Sequence, residues 1–146
     1  MANISALETL IELATKETDE ATKRLGRAVR AGNDAEEKLA LLLQYREDYA
    51  NRFHASLATG LSAAGCRNFQ LFLGKLEEAI EGQRKIVEDA QKRVNNERTA
   101  WQGCERKRMS YDTLATRALK QQQLTDMRRE QKQTDEFAAR KLLYTR

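Results

Sequence analysis

The sequence predicts an all-α fold, an antiparallel two-helix coiled-coil hairpin, on three observations. Apolar residues recur at alternating four- and three-residue steps through two long runs. Between the runs, from Asn51 to Asn68, the rhythm stops and small residues take over, with Gly60 and Gly65 as permissive backbone points. The chain has no proline in 146 residues, so the commonest helix breaker is absent. A break between two matching periodic runs reads as the turn of a helical hairpin whose arms pack on each other. The expected layout is one domain: helix one over about residues 6–57, a turn over about 58–66 and helix two over about 67–140.

Helix one is expected to start at Ser5, because Ser5-Ala-Leu-Glu8 has the form of a capping box. Its seam runs Leu7, Ile11, Ala14, Thr18, Ala21, Leu25, Ala28, Gly32, Ala35, Leu39, Leu42, Arg46, Tyr49, Phe53. Eleven of these fourteen are apolar, and Thr18, Gly32 and Arg46 are the exceptions. The alanines let the arms approach closely or leave room for a large partner. Helix two continues the rhythm at Phe69, Leu73, Leu76, Ile80, Gln83, Val87, Ala90, Val94, Glu97, Trp101, Cys104, Arg108, Tyr111, Ala115, Ala118. Twelve of these fifteen are apolar. In antiparallel register the numbers of facing residues sum to roughly 124. Trp101 then faces the Ala21 to Leu25 region, Phe53 meets Phe69 and Phe72, and Arg46 lies near Glu77, Glu78 and Glu81.

The rhythm fails after Ala118, where the next slots are Gln122, Thr125, Arg129, Lys132 and Glu136. Helix formers continue, but helix one has no residues left to face them. Helix two should therefore overhang by about 20 residues, on the order of 30 Å at 1.5 Å per residue. Leu119, Leu124, Met127, Phe137, Leu142 and Leu143 are scattered along it with nothing in the chain to cover them. A segment of this kind either frays or waits for a partner.

Several function classes are excluded or weakened. One histidine, His54, and two distant cysteines make no metal constellation. No phosphate loop follows Gly60 or Gly65, and no nucleophile has a base in reach. Glu36-Glu37 and Glu77-Glu78 read as solvated helix faces. The expectation is a protein that is not an enzyme and needs no cofactor or metal. The net charge of +4 permits acidic partners without demanding nucleic acid. The opening MANISALETL lacks the features of a signal peptide. The longest apolar run, Leu39 to Leu43, is far short of the roughly 20 residues that span a bilayer. A cytoplasmic protein with no direct membrane insertion is expected, its Cys66 and Cys104 reduced. In a hairpin the two cysteines stand on the order of 57 Å apart along helix two.

Two features call for a partner. Lys23, Arg24, Arg27 and Arg30 lie across from Arg93, Arg98, Arg106, Lys107 and Arg108. They form either a solvated surface or a positive girdle that meets an acidic channel or nucleic acid. Nearer the turn, Leu42, Tyr45, Tyr49, Phe72, Leu76 and Ala79 exceed what a seam requires. Either all six are core, or the surplus forms an exposed stripe that marks a partner site.

The residues also resemble a known family. The segment ALETLIELA, the pair Tyr45 and Tyr49, the blocks Asn68-Phe-Gln-Leu-Phe-Leu and Leu76-Glu-Glu-Ala-Ile80, Trp101, and the late Gln131-Lys-x-x-Asp-Glu-Phe-Ala138 are similar, in order and spacing, to the FliJ family of the bacterial flagellar type III export apparatus. The resemblance covers nearly the full length. It implies a hairpin like the γ-subunit shaft of rotary ATP synthases, without enzymatic activity. It implies that the end carrying both termini enters the hexameric ring of the export ATPase FliI, which assigns Lys23, Arg24, Arg27, Arg30, Arg128, Arg129 and Phe137 to the ring. It implies that the stripe of Leu42, Tyr45, Tyr49, Phe72, Leu76 and Ala79 binds the export-gate protein FlhA. Export chaperones are further implied partners, as is a place at the cytoplasmic face of the inner membrane. Lys38 and Gln83 depart from the family pattern, which has glutamine and histidine there. The rival readings are the equivalent stalk of a virulence injectisome, a nucleic-acid-binding coiled coil, and a dimeric scaffold pairing its arms between chains.

Overall fold

A computed structural model describes residues 2–145 and contains two helices, α1 (Ala2–Thr59) and α2 (Ala63–Tyr144). The described residues contain no strand. The connection is Gly60, Leu61 and Ser62 alone, shorter than the break in rhythm suggests. Apolar rhythm reports packing, whereas helix continuity follows from propensity. Ala55, Ala58, Ala63 and Ala64 sustain helix through the arrhythmic stretch.

Two glycines and a serine define the reversal. Gly60 adopts φ of 96°, the left-handed conformation that ends a helix, and its N–H donates to the Leu57 carbonyl at 3.4 Å. Ser62 caps α2, because its Oγ accepts from the Gly65 N–H at 3.1 Å while its carbonyl takes the Cys66 N–H at 2.9 Å. At Gly65 a Cβ would lie 2.8 Å from Leu61 Cδ1, so a side chain there would displace the Leu61 side chain. The expected start at Ser5 is not a cap. α1 already includes Ser5, whose carbonyl accepts from Thr9 Oγ1 at 3.1 Å.

The chain groups into two compact units. A two-helix seam has no common centre, so packing is local along it. One unit, Ala21–Trp101, carries the turn. The other combines Met1–Glu20 with Gln102–Arg146. Every predicted seam position on both helices is buried or half-buried. In the turn-bearing unit α1 contributes Ala21, Ala28 and Ala35 to the core, and α2 contributes the larger Leu76, Ile80 and Val94. Short side chains against branched ones give the interdigitation that close packing needs. In the other unit Ala14 and Thr18 are buried.

The polar interruptions of the seam are each accounted for. Thr18 returns its hydroxyl to the Ala14 carbonyl at 2.8 Å. At Gly32 a Cβ would stand 3.7 Å from Val94 Cγ2, an ordinary van der Waals contact. Arg46 Nη1 meets Glu77 Oε1 at 3.3 Å, and Trp101 Nε1 donates to Thr22 Oγ1 at 2.9 Å. Both pairs fall within about one residue of the expected register. Gln83 Nε2 donates to the Ala35 carbonyl at 2.9 Å, and Glu97 holds Arg24 Nε at 3.4 Å. Arg108 binds Glu105 on one side and, at 3.2 Å, Asp112 on the other. No buried side-chain nitrogen or oxygen among the described residues lacks a partner.

The Arg108 hydrogen bonds hold the Glu105 carboxyl below the usual carboxylate range, and Glu105 in turn raises the Arg108 guanidinium. A carboxylate with a lowered folded-state value adds stability above its unfolded value and loses it as pH falls through the folded one. In an NMR titration Glu105 is expected to titrate below the usual carboxylate range, and Arg108→Gln to raise it. An unchanged Glu105 curve in the Arg108→Gln protein would sink this pairing.

α2 loses all cover after Gln122, since residues 123–145 are exposed throughout. Leu124 is 49 % exposed, Phe137 67 % and Tyr144 89 %. α1 is observed from Ala2, where Ser5 is the expected start.

Candidate partner-binding surfaces

The aromatic surplus lies in the turn-bearing unit. Tyr49 sits between two rings, with centroids 4.9 Å from Phe69 and 4.4 Å from Phe72, both tilted at 45°. Phe69 also meets Phe53 at 5.3 Å. Phe53 thus contacts Phe69, while Phe72 pairs with Tyr49. These offset arrangements are favoured by the ring quadrupoles.

The six stripe residues divide by environment. Leu76 is 8 % exposed and belongs to the core, so it offers little area to a partner. Leu42 and Tyr49 are half-buried on the seam. Tyr45 at 52 % and Phe72 at 46 % exposed are the accessible large groups, and Ala79 is exposed. Tyr45, Tyr49, Phe72 and Leu76 line one open depression of about 350 Å³ with Asp48 and Arg52 at its edge. Leu42 and Ala79 do not line it.

Sequence reasoning passed over Leu41 and Leu71, which are 52 % and 68 % exposed. Leu41 lies one helical turn before Tyr45, a spacing that places both on one face. It lines a second depression of about 570 Å³ with Asp34, Glu37, Lys38, Ala40 and Gln44. The signal was available in that four-residue spacing, but the run Leu39 to Leu43 reads as undivided apolar sequence. Lys38 is thus at this surface. Gln83 is engaged with the backbone of the seam.

The basic candidates do not form one group. Lys23, Arg24, Arg27 and Arg30 lie in the turn-bearing unit, while Arg128, Arg129 and Phe137 lie in the other. Arg24, Arg27, Ala28, Ala31, Arg93 and Glu97 line a depression of about 370 Å³. Arg30 Nε returns to the Gly26 carbonyl at 3.4 Å. In the unit holding the termini, Lys107 pairs with Glu17 at 3.6 Å and Arg108 with Glu105 and Asp112. Part of the supposed positive girdle is therefore neutralised within the chain. Arg128, Arg129 and Phe137 are exposed on the uncovered segment.

Neither cysteine is in a disulfide. Among the described residues no cluster of three or more His, Cys, Asp or Glu side chains is placed to hold a metal ion. No helix among them is long and apolar enough to cross a membrane. The surfaces offer shape, aromatic faces and charge to another macromolecule.

Residues 3–144 match the family described as Flagellar FliJ protein. A Flagellar FliJ protein of Salmonella typhi is 34 % identical over 140 residues, covering 96 % of this chain and 95 % of that protein. Its counterpart in Escherichia coli strain K12 is 32 % identical over 140 residues, with the same coverage of both chains. Match length and identity agree with the residue order noted in the sequence, and the chain belongs to the flagellar FliJ family.

Proposed function

We propose that the protein is a non-enzymatic stalk of the flagellar type III export apparatus, held in the FliI ATPase ring and coupling it to the export gate FlhA. The observation that carries this reading is the pairing of two unlike surfaces in one chain. The turn-bearing unit presents Tyr45 and Phe72 around a depression. The unit with both termini presents a helical segment uncovered from residue 123 to 145. Exposed apolar groups concentrated in this way mark partner sites. FlhA takes the first surface and the ATPase the second, with Arg128, Arg129 and Phe137 in contact with the ring. Export chaperones for late substrates are further partners, and the gate brings the protein to the cytoplasmic face of the inner membrane.

Truncation tests the division of labour. Deleting Gln122 to Arg146 is expected to abolish stimulation or oligomerisation of the ATPase. Gate binding should persist, because the removed residues lie outside the turn-bearing unit. ATPase stimulation unchanged by the deletion would defeat the assignment.

A further inference from the structure

We infer that the arginine-lined depression of the turn-bearing unit recognises a pair of acidic side chains on the export ATPase. The inference rests on the stalk reading above. It adds Arg93 to the partner-binding residues, singles out Arg27 on the opposite helix, and gives Glu97 a positioning role.

Three arginines and one glutamate line this depression over a floor of Ala28 and Ala31. Arg24 and Arg27 are three apart on α1, and Arg93 and Glu97 four apart on α2, so each pair shares a helix face. Glu97 is half-buried on the seam and holds Arg24 Nε at 3.4 Å. Among the described residues neither Arg27 nor Arg93 has an acidic partner within ion-pair distance. The depression therefore keeps an excess of two positive charges. The seam residues Arg46 and Arg108, and Lys107 next to Arg108 in sequence, are each matched by acids of the chain. The alanine floor leaves room for the stems of incoming side chains.

The chemistry favours protein carboxylates over phosphate. Guanidinium forks match carboxylates in a bidentate geometry. Arg24 to Ala31 and Arg93 to Glu97 lie inside helices, where backbone N–H groups bond to the carbonyls four residues before them. Phosphate sites draw on free backbone N–H groups at helix starts or nests. Glu97 in the wall opposes a dianion more strongly than a singly charged carboxylate. Two separate carboxylates, one for each unmatched arginine, satisfy the excess.

The test uses the full chain and the purified cognate ATPase, with affinity measured by calorimetry at two salt concentrations. Arg27→Gln with Arg93→Gln is expected to weaken binding about tenfold or more and to flatten its salt dependence. Both residues are exposed, so circular dichroism should not change. Arg27→Lys with Arg93→Lys keeps the charge without the fork and should recover binding only in part. Lys85→Gln with Lys120→Gln removes the same charge elsewhere and should bind as the unaltered protein does. Unaltered affinity and salt dependence in the Arg27→Gln, Arg93→Gln protein would overturn the site while leaving the stalk reading intact. Failure of the unaltered protein to bind the ATPase would overturn both. Binding of a single-stranded oligonucleotide, lost on the same double substitution, would also overturn the site by giving these arginines to phosphates.

Discussion

Ile80→Ala is expected to cost about 2–4 kcal/mol, the largest loss from any single core truncation in this chain. Ile80 is 0 % exposed and is the one large side chain wholly buried among the described residues. Its truncation removes the transfer free energy of the lost carbons and leaves a cavity. A two-helix seam has no second layer of side chains to move into that space, and helices held by adjacent turns cannot close upon one position alone. Ile86 supplies the control. It lies six residues on in the same helix and is 53 % exposed. Ile86→Ala should stay within about 0.5 kcal/mol of the unaltered protein. Urea unfolding followed by circular dichroism measures both. Equal costs would mean that the seam does not run through Ile80, and the burial pattern of α2 would have to be redrawn.

That pattern was largely legible in the sequence because one seam dominates a coiled coil. A heptad position is core whichever helix faces it, so the series from Leu7 to Phe53 and from Phe69 to Ala118 transfers directly to burial. The end of cover was legible too, since the apolar rhythm stops after Ala118 and the exposed run begins at residue 123. Local backbone detail was less so. Ser62 as a cap depends on where α2 begins, and the alanine-rich stretch around it carries helix propensity without apolar rhythm. The partner surface was legible as composition but not as geometry. A residue just off the seam is covered or exposed according to the neighbour across it, which neither helix specifies alone. Tyr49 and Phe72 lie across the pair at 4.4 Å, and only that contact shows which ring is packed and which is presented. The unmatched state of Arg27 and Arg93 was equally hidden, because the pairing of Arg24 with Glu97 spans both helices.

Tyr45→Ala and Phe72→Ala are each expected to weaken gate binding by on the order of thirtyfold, about 2 kcal/mol, as truncation of an anchoring aromatic does. Both rings are about half exposed and border the same depression, so their loss removes area from a partner more than from the core. Helicity should hardly change. Phe72→Ala should lower stability slightly more than Tyr45→Ala, because the Phe72 ring also packs on Tyr49. Leu76→Ala should behave in the opposite sense. Leu76 is 8 % exposed, so its truncation is expected to cost about 2 kcal/mol or more of folding stability. Any weakening of gate binding by Leu76→Ala should follow from loss of the fold. Thermal unfolding and a binding isotherm on each variant separate the two effects. A Leu76→Ala protein with unaltered stability and lost binding would make Leu76 a contact residue. Tyr45→Ala and Phe72→Ala proteins that unfold early would return the aromatic surplus to the core. The gate would then need another surface, and the exposed leucines Leu41 and Leu71 would be the next residues to truncate.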